Sequence, residues 1–428
     1  MEKYKLGDLA TVEISGVDKK MKDGEKKIRL CNFVDVYYNW AITTARHDSF
    51  MFATANSKEI SKFQLKKGQV ALTKDSETRD DIGISTYIAN DFDDVILGYH
   101  CALITPNRDV LDGSYLNALL HTEYAKKYFA FNASGSGQRY ALSVEALNSF
   151  PVPRIPLREQ QRIGEIFSAL DKKIELNRRI NQNLEAMAKQ LYDYWFVQFD
   201  FPDENGRTYK SSGGKMVWNE KLKRDIPISW ETKLIDDVAE IYNGATPSTI
   251  NELNYGGDIV WITPKDLSDQ KQKFVYKGER NISQVGYDSC STHLLPSNTI
   301  LMSSRAPIGL LAIAKTELCT NQGFKSFVPK SGNTAIYLYY YLQHHIRQVE
   351  QLGTGTTFKE VSREDILKFP ILKPSDNVLN LWEEMVSPLN DRQLEIQKEN
   401  ESLTKQRDEL LPLLMNGQVS VNSDLSLG

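Results

Sequence analysis

The fold is decided by Pro156-Leu-Arg-Glu-Gln-Gln-Arg-Ile-Gly-Glu-Ile-Phe167, a stretch that continues without interruption to Trp195. Its apolar residues recur every seven positions, and neither Gly nor Pro lies between Glu165 and Trp195. This spacing is typical of a long helix that packs lengthwise against a second helix. A helix from Leu157 to Trp195 would be about 58 Å long at ~1.5 Å per residue. We therefore predict a long spacer helix.

A second helix with the same repeat is predicted near the end of the chain, from about Val378 to Leu414. Equivalent helices in two repeats can pair about a pseudo-two-fold axis, so we expect an antiparallel coiled coil, with Asn181 and Asn400 as polar markers of register. In the alternative, each helix packs only on its own domain. The predicted seam residues are Ile163, Phe167, Leu170, Ile174, Asn181, Leu184, Leu191, Leu389, Ile396, Asn400, Leu403 and Leu410.

The second half of the chain repeats the first at a shift of 219 positions. Ser143 then meets Ser362, and Phe150-Pro151 meets Phe369-Pro370. At the start of each half, Lys5-Leu6 resembles Lys233-Leu234. Two copies indicate a tandem duplication and not a solenoid. We predict an α+β fold in which two mixed α/β domains, in tandem repeat, are separated and joined by the two long helices.

Turn-forming residues and the heptads suggest the domain boundaries. Within the first domain we expect strands at 28–36, 70–73 and 95–104 and a helical stretch at 111–131. The predicted parts are a first domain at 1–155, the first helix at 156–197, a connector at 198–227, a second domain at 228–374, the second helix at 375–417 and a C-terminal tail at 418–428.

Composition is that of an ordinary globular protein, with 428 residues, 41% apolar and 25% charged residues. The net charge of −4 gives no global basic signal, so any nucleic acid must be met by local patches or by a partner. Four isolated cysteines, no apolar leader and no long apolar run favour a reduced cytoplasmic protein without a membrane span.

Catalytic patterns are missing from the sequence. It has no phosphate-binding Gly-x-x-x-x-Gly-Lys-Ser/Thr loop and no His-Glu-x-x-His pair. Asp18 with Glu25 superficially fits an acidic nuclease set, but a solvated Lys-rich loop explains them better. We therefore predict a chain without catalytic residues or a metal site.

Two motifs stand at the start of the first helix and just after it: Pro156-Leu-Arg-Glu-Gln-Gln-Arg-Ile163 and Tyr194-Trp-Phe-Val-Gln-Phe-Asp-Phe-Pro202. They resemble the opening of the central conserved helix and the connector in the specificity subunits of type I restriction–modification systems. Ser304-Arg-Ala-Pro-Ile-Gly309 is similar to a stretch of their recognition domains, and Leu410-Leu-Pro-Leu-Leu-Met-Asn-Gly417 resembles their C-terminal helix end. The second helix opening lacks the Glu-Gln found at Glu159-Gln160, which predicts different partner contacts in the two halves.

The resemblance implies a sequence-specific DNA-binding subunit of a bacterial defence complex. Each globular domain would be a target recognition domain that reads one part of a split sequence in double-stranded DNA. The helices would set the spacing and dock two methyltransferase subunits, and restriction subunits would join them. S-adenosylmethionine, ATP and Mg²⁺ would belong to those partners, so we expect no cofactor in this chain.

The predicted DNA-contacting sites are two pairs of polar loops that recur in both halves, 134–140 with 354–359 and 74–79 with 303–305, and a further loop at 243–248, because groove readout needs Arg, Lys, amide and hydroxyl side chains. The alternative is a plain flexible segment for the first pair and a solvated charge for a lone Lys or Arg. Tyr37, Tyr38 and Trp40 could stack on a base, although core packing explains them better. The predicted residues are Lys74, Arg79, Ser134, Ser136, Gln138, Arg139, Tyr140, Asn243, Thr246, Ser303, Ser304, Arg305, Thr354, Thr356, Thr357 and Lys359.

Two other functional classes compete with this interpretation. One is a self-contained enzyme that cleaves or methylates DNA, which the absence of cofactor and metal motifs disfavours. The other is a coiled-coil adaptor that binds no DNA. The target sequence and the spacer length do not follow from the sequence.

Overall fold

The protein is described from a computed structural model that covers residues 3–135, 138–270, 272–355 and 359–415. It divides into two compact units. Unit 1 comprises residues 1–177 and 399–428, and unit 2 comprises residues 178–398. Each long helix therefore contributes one segment to each unit.

Unit 1 is a mixed α/β body. Its strands are β1 (Lys3–Lys5), β2 (Ala10–Ile14), β3 (Lys26–Cys31), β4 (Ala41–Ile42), β5 (Met51–Ala55), β6 (Val70–Thr73), β7 (Asp75–Ser76), β8 (Ser85–Ile88), β9 (Val95–Leu97), β10 (Cys101–Pro106), β11 (Ser134–Gly135), β12 (Tyr140–Ala141) and β13 (Pro151–Pro153). Its helices are α1 (Leu6–Leu9), α2 (Phe33–Tyr37), α3 (Ser57–Phe63), α4 (Gly113–Leu120), α5 (Glu123–Asn132), α6 (Val144–Asn148) and the first part of α7 (Leu157–Tyr192), with a 3₁₀ turn at Thr44–Ser49.

A five-stranded sheet in the order β2-β10-β6-β8-β4 forms the centre of unit 1. Its strands are antiparallel except for the edge pair β4 and β8. A three-stranded sheet, β5-β3-β9, lies beside it, and β1 pairs with β13. The central strand β6 is buried at all four positions, which explains why its first three residues are apolar.

Unit 1 differs in detail from the predicted segments. The strand expected at 28–36 ends at Cys31, because Asn32 caps α2 and forms a capping box with Asp35. The segment expected at 95–104 splits into β9 and β10 at His100, whose backbone has a φ of 68°. The helical stretch at 111–131 breaks before Thr122, whose hydroxyl caps α5.

Unit 2 contains the connector and the second domain. Its strands are β14 (Met216–Asn219), β15 (Arg224–Pro227), β16 (Glu231–Leu234), β17 (Ala239–Asn243), β18 (Tyr255–Ile262), β19 (Phe274–Val275), β20 (Arg280–Ile282), β21 (Ile300–Ser303), β22 (Leu311–Ala314), β23 (Cys319–Thr320), β24 (Phe324–Pro329) and β25 (Pro370–Lys373). Its helices are α8 (Ile235–Val238), α9 (Pro264–Gln270), α10 (Gln284–Asp288), α11 (Ala335–His344), α12 (Ile346–Gln351), α13 (Arg363–Leu367) and the first part of α14 (Asp376–Met415), with 3₁₀ turns at Glu252–Asn254 and Gly332–Thr334 and a π-helical turn at Asp193–Val197.

The sheets of unit 2 repeat those of unit 1. The five-stranded sheet has the order β17-β24-β21-β22-β19, again with one parallel edge pair, and β20-β18-β23 forms the three-stranded sheet. Ser143 and Ser362, matched by the shift of 219, both cap equivalent helices. At the domain starts, Leu6 corresponds to Ile235 and not to Leu234, since their amides donate to the carbonyls of Phe150 and Phe369. The predicted duplication and fold class are confirmed, with that correction of one position.

Within unit 1, α7 and α14 run antiparallel. Ile163 and Phe167 share an apolar cluster with Leu411 and Leu414. Further along α7, Asn177 Nδ2 donates to Glu399 Oε2 at 2.8 Å and to Asn400 Oδ1 at 3.0 Å. The sequence of α7 therefore advances as that of α14 recedes, as an antiparallel coiled coil requires.

The same direction holds within unit 2. Asn181 Nδ2 donates to the carbonyl of Gln393, and Trp195 packs on Trp382 with ring centroids 5.9 Å apart. Asn400 therefore bonds to Asn177 in unit 1, while Asn181 bonds to the Gln393 backbone in unit 2. Of the predicted seam residues, four are buried and the rest are half-buried: the buried ones are Ile163, Phe167, Ile174 and Ile396, and the half-buried ones are Leu170, Asn181, Leu184, Leu191, Leu389, Asn400, Leu403 and Leu410.

Candidate nucleic-acid interface

Backbone pairing brings two of the predicted loops together in unit 1. Strand β11 pairs with β12, and β12 pairs with β7. The loop that follows α5 therefore lies beside the loop that follows β6. We call residues 74–79, 100, 134–135 and 138–141 the unit 1 loop surface.

Asp75 is the centre of this surface. It is 9% exposed, and its carboxylate accepts from Lys74 Nζ at 2.7 Å and from the imidazole of His100. Burial raises the pKa of the Asp75 carboxyl, but hydrogen bonds from Lys74 and His100 outweigh that effect, and the pKa lies below its ordinary value. Asp75 is therefore a charged anchor for basic side chains.

Arg139 joins this anchor from the neighbouring strand. Its Nη2 lies 3.4 Å from Asp75 Oδ2 and 2.6 Å from His100 Nδ1, while its side chain is 59% exposed. A protonated Nδ1 that donates to Asp75 cannot also accept from Arg139, so the carboxylate is the shared acceptor. The guanidinium is thus held at one corner and exposed elsewhere.

The other predicted residues of unit 1 lie around this cluster. Arg79 is exposed and stacks over the ring of Tyr140 at 5.0 Å. The hydroxyl of Ser134 donates to the carbonyl of Ala141, and Gln138 is exposed. Ser136 lies outside the described residues. Trp40 packs against the core and does not offer a stacking platform, whereas Tyr38 is exposed.

Unit 2 builds an equivalent surface from the equivalent loops. Glu360 forms antiparallel bridges with both Arg305 and Thr354. We call residues 303–305, 325, 354–355 and 359–360 the unit 2 loop surface. The amide of Val361 donates to the Ser304 carbonyl at 3.0 Å, as Leu142 does to Lys74 at 2.8 Å. The two surfaces therefore occupy the same place in the repeat.

A carboxylate again holds the basic groups, but it stands on the opposite strand. Arg305 Nε donates to Glu360 Oε2 at 3.0 Å, and Lys325 Nζ, on a side chain only 7% exposed, donates to Glu360 Oε1 at 3.3 Å. Thr354 and Lys359 are exposed. Thr356 and Thr357 lie outside the described residues.

Ser303 and Ser304 differ from the other predicted residues because both are fully buried. The Ser303 hydroxyl donates to the Pro307 carbonyl at 2.6 Å and accepts from the Leu310 amide at 2.8 Å. These bonds hold the turn that carries Arg305. The Ser303 hydroxyl therefore supports that turn, and burial keeps both side chains away from the exposed part of the loop, which corrects their predicted contact with DNA.

The predicted loop at 243–248 follows β17. Asn243 and Thr246 are exposed, and the Thr246 hydroxyl donates to Gln322 Oε1. Trp261 holds the loop in place, because its Nε1 donates to the Ala245 carbonyl at 3.1 Å. Its place beside Asn321-Gln322 makes it a second polar edge of unit 2.

Sequence reasoning missed the residues that organise both surfaces. Asp75, His100, Glu360 and Lys325 were not predicted, because each becomes important only through a partner distant in the chain. The repeat offered one signal, because the residues that face Arg139 in the first copy and Arg305 in the second copy could have been compared with each other. For these loop residues, DNA contact remains a prediction.

Gln160, expected to mark a difference in partner contacts, has an internal role. It is 4% exposed, its Oε1 accepts from the Asp112 amide, and its Nε2 donates to the carbonyls of Val110 and Ile155. Its equivalent in the second half is the buried Leu379. The difference between Gln160 and Leu379 therefore reflects how each unit packs around the start of the long helix it contains.

Neither a metal centre nor a membrane span emerges from the described part of the chain. Within residues 3–135, 138–270, 272–355 and 359–415, no three His, Cys, Asp or Glu side chains are grouped to hold a metal ion. None of the described helices combines the length and the apolarity that crossing a bilayer requires.

A family model described as the type I restriction modification DNA specificity domain matches residues 1–186 and 227–401. The chain belongs to this family. The two matched regions coincide with the two copies of the repeat, and two specificity domains in tandem fit the reading of a bipartite target.

Two relatives and one solved structure in the family match parts or most of the chain. The type I restriction enzyme HindI specificity subunit of Haemophilus influenzae is 28% identical over 421 residues, which cover 85% of this chain and 90% of that protein. The MjaIX specificity subunit of Methanocaldococcus jannaschii is 38% identical over 197 residues, 45% of this chain and 46% of that protein. The crystal structure of an S subunit from M. genitalium, at 14% identity, covers 96% of this chain and 95% of its own with a TM-score of 0.59, which shows the shared fold.

Proposed function

We propose that this chain reads DNA for a type I restriction–modification complex through the two loop surfaces, each of which reads one part of a bipartite target. The supporting observation is the equivalent placement of two exposed, basic loop surfaces in two copies of one fold. Arg139 and Arg305 are the central donors, because arginine can bond the acceptor edge of guanine or a phosphate.

Catalysis belongs, in this proposal, to partner subunits. Two methyltransferase subunits that bind S-adenosylmethionine dock on the helices, and restriction subunits supply the ATP- and Mg²⁺-dependent cleavage. The chain itself carries no cofactor. Such partners also explain how a chain with a net charge of −4 binds DNA, since they contribute basic surface around the duplex.

Single-molecule methylome sequencing of cells that express this chain with its methyltransferase tests the proposal. We expect one split motif, with two specified parts around an unspecified gap. Exchange of residues 228–374 for the same domain of a related subunit should replace one part and leave the other unchanged. A continuous motif, or a motif altered in both parts by the exchange, would contradict separate reading by two domains.

Binding measurements separate this function from its two rivals. The complex of this chain and its methyltransferase should retain labelled duplex that carries the motif. If the complex ignores DNA of any sequence, an adaptor role replaces the proposed one. If the purified chain methylates or cuts DNA without partners, it is an enzyme in its own right.

A further inference from the structure

One carboxylate lies at the centre of each loop surface, although DNA repels carboxylates. Asp75 contacts Lys74, His100 and Arg139, and Glu360 contacts Arg305 and Lys325. The two acids are on different strands of the repeated motif, so the arrangement is not a copied residue. An acid that gathers cations therefore recurs through different side chains.

The contacts of Arg305 show what the acid does to the guanidinium. Glu360 accepts from Nε at 3.0 Å, and no described contact engages Nη1 or Nη2 within residues 3–135, 138–270, 272–355 and 359–415. The guanidinium is therefore held through Nε, and its two terminal nitrogens keep their N–H groups for another acceptor. Such a pair of nitrogens matches two neighbouring acceptors, such as O6 and N7 of guanine or two oxygens of a phosphate.

Arg139 is held through a different corner. Its Nη2 faces Asp75 and His100, and the described contacts of the same four ranges leave Nε and Nη1 unengaged. An exposed arginine without such an anchor would sample many rotamers and lose that freedom on binding. Anchoring by a carboxylate reduces this loss and sets the direction of the donors.

We propose that Asp75 and Glu360 are positioning residues that orient Arg139 and Arg305 toward a pair of acceptors on the DNA, one pair in each part of the target. This inference rests on the proposed function and adds residues that act through the arginines without touching DNA. Each acid then affects only the part of the target that its own unit reads.

Variants of unit 1 test the inference in the full chain with its methyltransferase. Arg139→Ala should weaken binding of the target duplex by about 5- to 150-fold. With a guanine acceptor, Asp75→Asn should reduce the discrimination between the target and a duplex changed in one part; with a phosphate acceptor, it should change the affinity for all sequences alike. It should also tighten binding to unrelated DNA, because the surface loses one negative charge.

A double-mutant cycle separates positioning from a structural role. If Asp75 acts through Arg139, Asp75→Asn should cause no further loss of discrimination when Arg139 is already alanine. Fully additive losses would overturn the inference, as would an Arg139→Ala complex with unchanged affinity and unchanged salt dependence. Thermal unfolding of each variant shows whether the fold is intact.

The two possible acceptors give different signatures. With a guanine acceptor, Arg139→Ala relaxes the sequence preference at one base pair. With a phosphate acceptor, affinity for all sequences falls, and the slope of log affinity against log salt decreases by about one unit. Both results support an oriented arginine, and they identify which acceptor pair it binds.

Unit 2 and a surface control complete the design. Arg305→Ala and Glu360→Gln should act on the other part of the target only. Glu123→Gln removes an equal charge from an exposed ion pair with Lys126 on α5 and should leave discrimination unchanged. If the wild-type complex selects no sequence, the proposed function fails; if it selects its target and the unit 1 and unit 2 variants behave like wild type, only this inference fails.

Discussion

At the scale of single residues, one equivalent position holds an aromatic side chain in unit 1 and a cationic side chain in unit 2. The residue before the edge strand of the large sheet is Trp40 in unit 1 and Lys273 in unit 2. Trp40 lies between His121, with ring centroids 4.3 Å apart, and the Arg407 guanidinium, 4.8 Å from its ring. In both units this residue connects the sheet to the helix pair.

Lys273 makes that connection with hydrogen bonds. Its Nζ, on a side chain 9% exposed, donates to Glu185 at 2.9 Å on α7, to Asn390 at 2.6 Å and Gln393 at 3.2 Å on α14, and to Tyr340 at 2.5 Å on α11. Burial lowers the pKa of Lys273 to about 8, although the Glu185 carboxylate opposes this shift.

Replacement of Lys273 by methionine should lower the free energy of unfolding by about 1–3 kcal/mol, because it leaves the acceptors of α7 and α14 without their donor. Urea unfolding followed by circular dichroism measures the change. Lys265→Met, which alters an exposed ion pair with Glu279, should change stability far less. Equal losses in the two variants would show that the buried hydrogen bonds contribute little.

The stability contribution of Lys273 should also depend on pH. Its folded pKa of about 8 lies below the ordinary value of 10.5, so the unfolded state binds more protons between those values. The free energy of unfolding of the wild type should therefore rise with pH across that window, relative to Lys273→Met. Parallel urea titrations at several pH values measure this difference, and a constant difference would contradict the assigned pKa shift.

At the scale of elements, the helix pair is specified by both apolar and polar residues. Heptads predicted helices at 157–195 and 378–414, and the structure has α7 at Leu157–Tyr192 and α14 at Asp376–Met415. Asn177 is 1% exposed and bonds to Asn400 and Glu399 in the seam of unit 1. A buried amide favours one register because any slip leaves it without a partner.

Replacement of Asn177 by alanine should lower the free energy of unfolding of unit 1 by about 1–3 kcal/mol, since Asn400 and Glu399 lose a buried donor. The loss should be smaller when Asn400 is alanine as well, because the pair interaction is then already absent. Asn183→Ala, at an exposed position of the same helix, is the matched control for helix propensity. Urea unfolding of the four variants provides the cycle, and a loss unaffected by Asn400 would argue against a register role.

At the scale of the whole molecule, the duplication assigns one loop surface and one long helix to each half. Because the helices carry the spacing in the proposed function, the gap in the target should follow their length. The gap is therefore the property of the DNA motif that a change in the helices should alter without altering the specified bases.

Insertion of seven residues after Asn181, matched by seven after Ile396, should lengthen the gap while the heptad phase is kept. A heptad adds about 10 Å along a helix axis, or roughly three base pairs of B-DNA. Methylome sequencing reads the gap directly. Substitution of seven surface residues of α7 without insertion is the control, and a gap that stays constant after the insertion would reject the spacer role.

The candidate site was less predictable than the fold for a physical reason. Loops at 134–140 and 354–359, each with glycine and one basic residue, could be identified as polar and repeated. Their anchors could not, because Asp75 and Glu360 become anchors only after β-pairing brings them to Arg139 and Arg305. Similarly, nothing in the local sequence shows that Ser303 and Ser304 are buried.

The sequence by itself determined the duplication, the two long helices and the family, because periodic burial and repeated motifs are written along the chain. Only the tertiary structure decided which residues share a surface, which asparagine meets Asn400 and which acid holds each arginine. These relations depend on contacts between residues far apart in sequence, and the strength of each contact depends on burial and on direction. The helix that begins at Leu157 was therefore predictable, and the chemistry of the two loop surfaces was not.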